Sequence, residues 1–124
     1  MNRKDYRTSI AELCEAARTR ITPDLLYLLL KKNKDYTKSD ENQFMGFITA
    51  AQLSGTDGPE RVIFSRIIDK ILRASNLLTS DKPPAIVDEK LRDTMLDIAG
   101  YSIIMVAFLD YAEKLGFVEE KTSA

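Results

Sequence analysis

Apolar positions recur at steps of three and four along nearly the whole chain, and no segment sustains period-two alternation. That spacing places each apolar set on one side of a helix, so the pattern predicts an all-α fold of five helices joined by short loops. The first helix is expected over about residues 4–18, with Ile10, Leu13, Cys14 and Ala17 on one face and Cys14 as a small buried hydrophobe within that stripe. Thr22-Pro23-Asp24 reads as the start of the second, with Thr22 as cap, Pro23 where a missing donor costs nothing and an acid at the positive end of the dipole. Leu25, Leu26, Leu28, Leu29 and Leu30 then cover most of the circumference, which implies burial on more than one side or an oligomer contact.

Ser39 with Asp40 and Glu41 is the expected start of the third helix, whose core stripe is Phe44, Phe47, Ile48 and Ala51 and whose end is Gly55. Pro59 opens the fourth after the turn Thr56-Asp57-Gly58. Ile63, Ile67, Ile68, Ile71, Leu77 and Leu78 are expected to face inward, while Arg66, Asp69, Arg73 and Asn76 recur as a polar stripe bordered by Lys70. Pro83-Pro84 breaks the helical pattern. A long last helix then follows from near Asp88 to about Leu115, apolar nearly all round from Ile98 to Leu109 and so expected to be mostly buried as the centre of a bundle or a dimer seam. Residues 117–124 read as a frayed tail.

Composition narrows the chemistry. The 124 residues fit one domain with a real core, and 18 basic against 19 acidic residues leave no global attraction for nucleic acid or anionic lipid. With no His and one Cys, the chain has no His-based triad, Cys/His zinc site or disulfide framework. No signal-peptide core follows the charged start, and the twelve nearly uncharged residues from Ile98 to Leu109 are too few to span a bilayer, so a cytoplasmic location is expected.

One constellation remains. Glu89, Asp93 and Asp97 stack four residues apart at the start of the last helix, where like charges repel by a few tenths of a kcal/mol per pair unless something offsets them. A hard cation, Mg²⁺ before Mn²⁺, is one offset, and Arg66, Lys70 and Arg73 of the preceding helix are the other. If the two helices are antiparallel, the Arg66, Asp69, Arg73 stripe meets the carboxylates in a charged cleft. Lys31, Asn33, Lys34, Asp35 and Tyr36 are candidates to close it, with cations for phosphate, an amide for base or ribose, and a ring for stacking. No glycine-rich phosphate loop is present, so a P-loop or dinucleotide enzyme is not supported.

Three ordered blocks carry a resemblance: Lys32-Asn33-Lys34-Asp35-Tyr36; Arg66-Ile67-Ile68-Asp69-Lys70-Ile71-Leu72-Arg73 with Asn76-Leu77-Leu78; and Asp88-Glu89-Lys90-Leu91-Arg92-Asp93-Thr94 with Asp97-Ile98-Ala99-Gly100-Tyr101. Over about residues 25–109 the chain resembles the nucleotide modification associated domain one family, small helical proteins of bacteria and phages. The chain has Thr37 and Ala74 where that family usually has Gly and Leu. A looser similarity is to MazG-type all-α nucleoside triphosphate pyrophosphohydrolases, but the E-x-x-E pair of that group is missing from the second helix and the later acids are spaced by four. The resemblance implies a nucleotide context. The first expectation is therefore a module that binds or sequesters a nucleotide or nucleotide-derived signal. The alternatives are a Mg²⁺-dependent pyrophosphohydrolase-like enzyme, with Glu89, Asp93 and Asp97 as metal ligands, and a non-catalytic helical oligomer. A homodimer is expected in each case, since the apolar surface exceeds what one small bundle covers.

Overall fold

A computed structural model describes residues 7–36, 44–56 and 58–111, with the side chains of 32–36 outside the description. The fold is all-α: α1 (Ile10–Ala16), a π-helical turn (Ala17–Ile21), α2 (Thr22–Tyr36), α3 (Met45–Ser54), α4 (Pro59–Leu78) and α5 (Pro84–Tyr111), with no strand among the described residues. The expected Ser39 start of α3 and the tail 117–124 lie outside the described residues.

The first two expected helices are one. Thr22 has helical torsions (φ −63°, ψ −43°) and its N–H donates to the Ala17 carbonyl, five residues back. Pro23 has no N–H and its ring would press on a carbonyl one turn earlier, and the wider π turn immediately before it takes up that misfit without ending the helix. Thr22 is therefore not a cap. The start is also later than residue 4: residues 7–9 are non-helical, and Ser9 caps α1, accepting from the Glu12 N–H (3.1 Å) while Glu12 reaches back to the Ser9 N–H. That is a capping box, legible as Ser9-x-x-Glu12.

The opposite correction applies to α5. Its helix begins at Pro84, not near Asp88, because only Pro83 breaks the backbone pattern; Pro84 occupies the first turn, and the Pro83 carbonyl accepts from Ile86 and Val87. Gly55 ends α3 in the left-handed region (φ 70°), a torsion for which glycine carries no Cβ penalty.

The core is built by α3, α4 and α5. Ile63 of α4 and Phe108 of α5 are the most deeply buried side chains, with Phe44, Phe47, Tyr101, Ile104 and Met105 packed on them. Phe44 meets Phe108 edge-on at 5.5 Å between centroids, and Phe47 meets Tyr101 at 6.5 Å. At the other end Lys70 of α4 bonds Asp97 of α5, so the two helices run antiparallel, the condition the charged-cleft reading sets. The inward face of α4 is Val62, Ile63, Ala74 and Leu77; Ile68, Ile71 and Leu78, expected inside, are exposed. Burial of Ile63, Ala74 and Leu77 sets the rotation of the helix, which puts Lys70 rather than Ile71 toward α5 and within reach of Asp97.

α2 crosses α5 at Gly100. Leu25 and Leu29 straddle it, and a Cβ there would lie 3.4 Å from Leu29 and 3.6 Å from Leu25. Asp24 pairs with Arg92 at 2.7 Å. The contacts advance in the same direction along both helices, so α2 runs with α5 and its C-terminal end heads toward the Tyr111 end.

Two expectations of burial fail. Neither α1 nor the π turn has a buried residue: Ile10 is 75% and Leu13 53% exposed, and Cys14 is exposed. The run Ile98–Leu109 is not enclosed, since Ile103, Val106 and Leu109 are exposed and only Gly100 and Phe108 of that run are buried. α3 and α4 cover one side of α5 and α2 crosses it once, and no other described element covers the rest. By length and mean hydropathy (1.3 over 18 residues) α5 also meets the requirement for crossing a membrane, a test that a core helix passes as well.

Candidate functional site

The polar end of the α4–α5 hairpin is where sequence-predicted residues meet. Antiparallel packing sets the Lys70–Arg73 turn of α4 against the Asp93–Asp97 turn of α5, and Lys70 Nζ lies 3.2 Å from an Asp97 carboxylate oxygen. Both side chains are well covered, at 30% and 18% exposed, which shields the pair from solvent more than an ordinary surface bridge. Thr94, buried beside them in sequence, satisfies its hydroxyl by donating to the Lys90 carbonyl at 2.8 Å.

Past that pair the hairpin carries like charges. The loop after α4 turns back through Ser80, whose hydroxyl accepts from the Lys82 N–H, and this brings Lys82 alongside Lys90 and Arg73. Lys90, within hydrogen-bonding range, pushes the Lys82 ammonium below the ordinary lysine value, and Arg73 adds to the shift. Lys82 of the loop and Lys90 of α5 thus lie within hydrogen-bonding range, Arg73 is near enough to add to the shift, and Lys70 lies one turn from Arg73 along α4. Lys82 and Lys90 were not among the sequence candidates. Lys90 sits within the Asp88-Glu89-Lys90-Leu91-Arg92-Asp93 block, but a loop lysine joins it only through the return of the chain at Pro83, which no periodicity reveals.

The other predicted residues divide. Glu89 and Asp93 are exposed at the opening of α5. Asp97 is drawn to Lys70 instead of stacking with them, and no three carboxylate, His or Cys side chains gather into a metal-holding group among the described residues. Arg66 leaves the cleft: it lines an open groove of about 310 Å³ at the α3–α4 corner with Ser54, Thr56, Arg61 and Ser65. The hydroxyls there spend their protons locally, Ser54 on the Ala50 carbonyl and Ser65 on that of Val62. Asp69 is exposed on the flank of α4.

Lys31 is exposed, and Asn33, Lys34, Asp35 and Tyr36 occupy the last helical turn of α2. Because α2 runs with α5, that turn heads away from Arg73 and Asp93 rather than over them. Of the expected five-residue closure, Lys31 is exposed, and the side chains of Asn33, Lys34, Asp35 and Tyr36 lie outside the described residues.

No protein-family model matches the chain, and neither a curated protein nor a solved structure is found to be similar to it.

Proposed function

We propose that the chain binds a phosphorylated small molecule of the nucleotide class at the loop end of the α4–α5 hairpin and holds it without chemistry. The observation that carries this reading is the polar end of the α4–α5 hairpin, where the Lys70–Asp97 pair at 3.2 Å sets the Arg73 turn of α4 against the opening of α5 that carries Lys90, with Lys82 on the loop between them. Mutual repulsion makes such a cluster unfavourable in the free protein, and an anion of two or more charges removes that cost on binding. Arg73 supplies the planar fork for a phosphate and the two lysines supply point charges. Lys70, held by Asp97, backs the cluster and fixes the pitch of α4 against α5.

The nucleotide part of the reading is carried over from the sequence blocks at residues 32–36, 66–73 and 88–101 alone, since no family model matches the chain. For a Mg²⁺-dependent hydrolase, Glu89, Asp93 and Asp97 are the residues to hold the metal; their present arrangement, with Asp97 on Lys70, is not a gathered ligand set, and no step is assigned to it. Mg²⁺ enters this reading as a counter-ion carried by the phosphates.

Calorimetric titration of the full chain with pyrophosphate, nucleoside triphosphates and cyclic dinucleotides tests it. Binding by at least one class, weakened about tenfold or more by Arg73→Ala and by Lys90→Ala in folded protein, is the expected result. Absence of heat with every ligand, or affinity unchanged in both variants, rejects it. Recovery of a shortened nucleotide in place of the intact one moves the reading to the hydrolase.

A further inference from the structure

Among the described residues, the apolar stripe of the N-terminal arm has no partner in its own chain. Ile10, Leu13, Cys14, Ala17 and Ile21 share one face of α1 and the π turn, and neither segment buries a residue. Yet a capping box fixes its start and unbroken helix fixes its end, so the arm is built as a rigid projection. An uncovered apolar helix of about this length is marginal in water without tertiary packing.

Among the described residues, a second apolar surface with exposed side chains matches it. Ser102, Ile103, Val106, Ala107, Asp110 and Tyr111 line an apolar groove of about 370 Å³ along α5, its small side chains alternating with larger ones as a helix ridge requires. The arm, Ile10 to Ile21, spans about 18 Å and the groove, Ser102 to Tyr111, about 15 Å at helical rise. Arg20 on the arm and Asp110 in the groove are exposed and without an ion-pair partner among the described residues, and they are of opposite charge.

The arm cannot reach this groove in its own chain. Asp24 anchors the start of α2 at Arg92, and from there the arm extends backward, whereas the groove begins about 16 Å and ends about 28 Å farther along α5 in the other direction. We infer that each arm seats in the α5 groove of a second copy of this chain, reciprocally, giving a closed twofold dimer. The inference is independent of any bound ligand.

The full chain tests it through its single cysteine, which lies on the seated face. Sedimentation analysis is expected to show a dimer, with Leu13→Glu and Val106→Glu each weakening it by about tenfold or more while helicity is retained. In the dimer, Cys14 is expected to react with a soluble thiol reagent at least about tenfold more slowly than after dilution to monomer, and either variant restores the fast rate. A monomer at all concentrations overturns the inference. So does a dimer indifferent to both variants or one in which Cys14 stays fully reactive, since another face then makes the contact. Flotation of the chain with neutral lipid vesicles, in place of self-association, overturns it in favour of a membrane-covered face.

Discussion

Lys82 is a surface lysine whose worth is set by its neighbours. Its pKa is lower in the folded chain than the ordinary 10.5, because Lys90 and then Arg73 disfavour its charged form. A lysine depressed on folding costs stability wherever it is charged, below its folded pKa, and the cost disappears as pH rises past the unfolded value. Lys82→Gln is therefore expected to raise the thermal midpoint at neutral pH and low salt, with the gain shrinking as pH rises toward 10.5 and as salt screens the cluster. Thermal scans over pH and ionic strength check this. In the core, Ile63 is fully buried against Phe108, and Ile63→Ala is expected to cost about 2–5 kcal/mol by urea unfolding. Gly100 gives a contrasting case: an added methyl would sit 3.4 Å from Leu29, ordinary contact distance, in the middle of a helix. Gly100→Ala should thus stabilise by about 0.5–1 kcal/mol in the same experiment, and a loss would show that α2 lies closer than described. Ile63 was legible from its place in the stripe. The value of Lys82 was not, because local sequence carries no record of which cations a returning loop brings together.

At the scale of elements, punctuation was read correctly in kind and less well in place. Pro59 opens α4, Gly55 ends α3 and Pro83 breaks the chain, each for a backbone reason that acts within one turn. Pro23 shows where such local reading stops: the same residue that opens a helix in isolation is carried inside one when a π turn precedes it. The Ser9–Glu12 box makes a sharper prediction about α1. Ser9→Ala removes the cap at a helix that buries none of its side chains against the described residues, so amide exchange in residues 10–16 is expected to accelerate while the global urea midpoint of the monomeric Val106→Glu variant stays unchanged. A fall in that midpoint would place α1 in the cooperative core.

For the whole molecule, the balance of covered and uncovered apolar surface decides more than any residue. α3, α4 and α5 close one core around Ile63 and Phe108, while α1, part of α2 and one side of α5 stay open. The sequence shows the excess as a run of leucines and an apolar last helix. It does not show which faces remain uncovered, since that depends on the angle at which α2 crosses Gly100 and on the single side of α5 that α4 occupies.

Helical class and the breaks at Gly55, Pro59 and Pro83 follow from the order of residues alone, because they rest on backbone torsions and on periodicities of one or two turns. Only the tertiary arrangement paired Lys70 with Asp97, moved Arg66 to another groove, turned the end of α2 away and gathered Lys82 with Lys90 and Arg73. Those outcomes depend on the rotation and direction of whole helices, and a shift of one position along the sequence swings a side chain by about 100°, enough to exchange one neighbour for another.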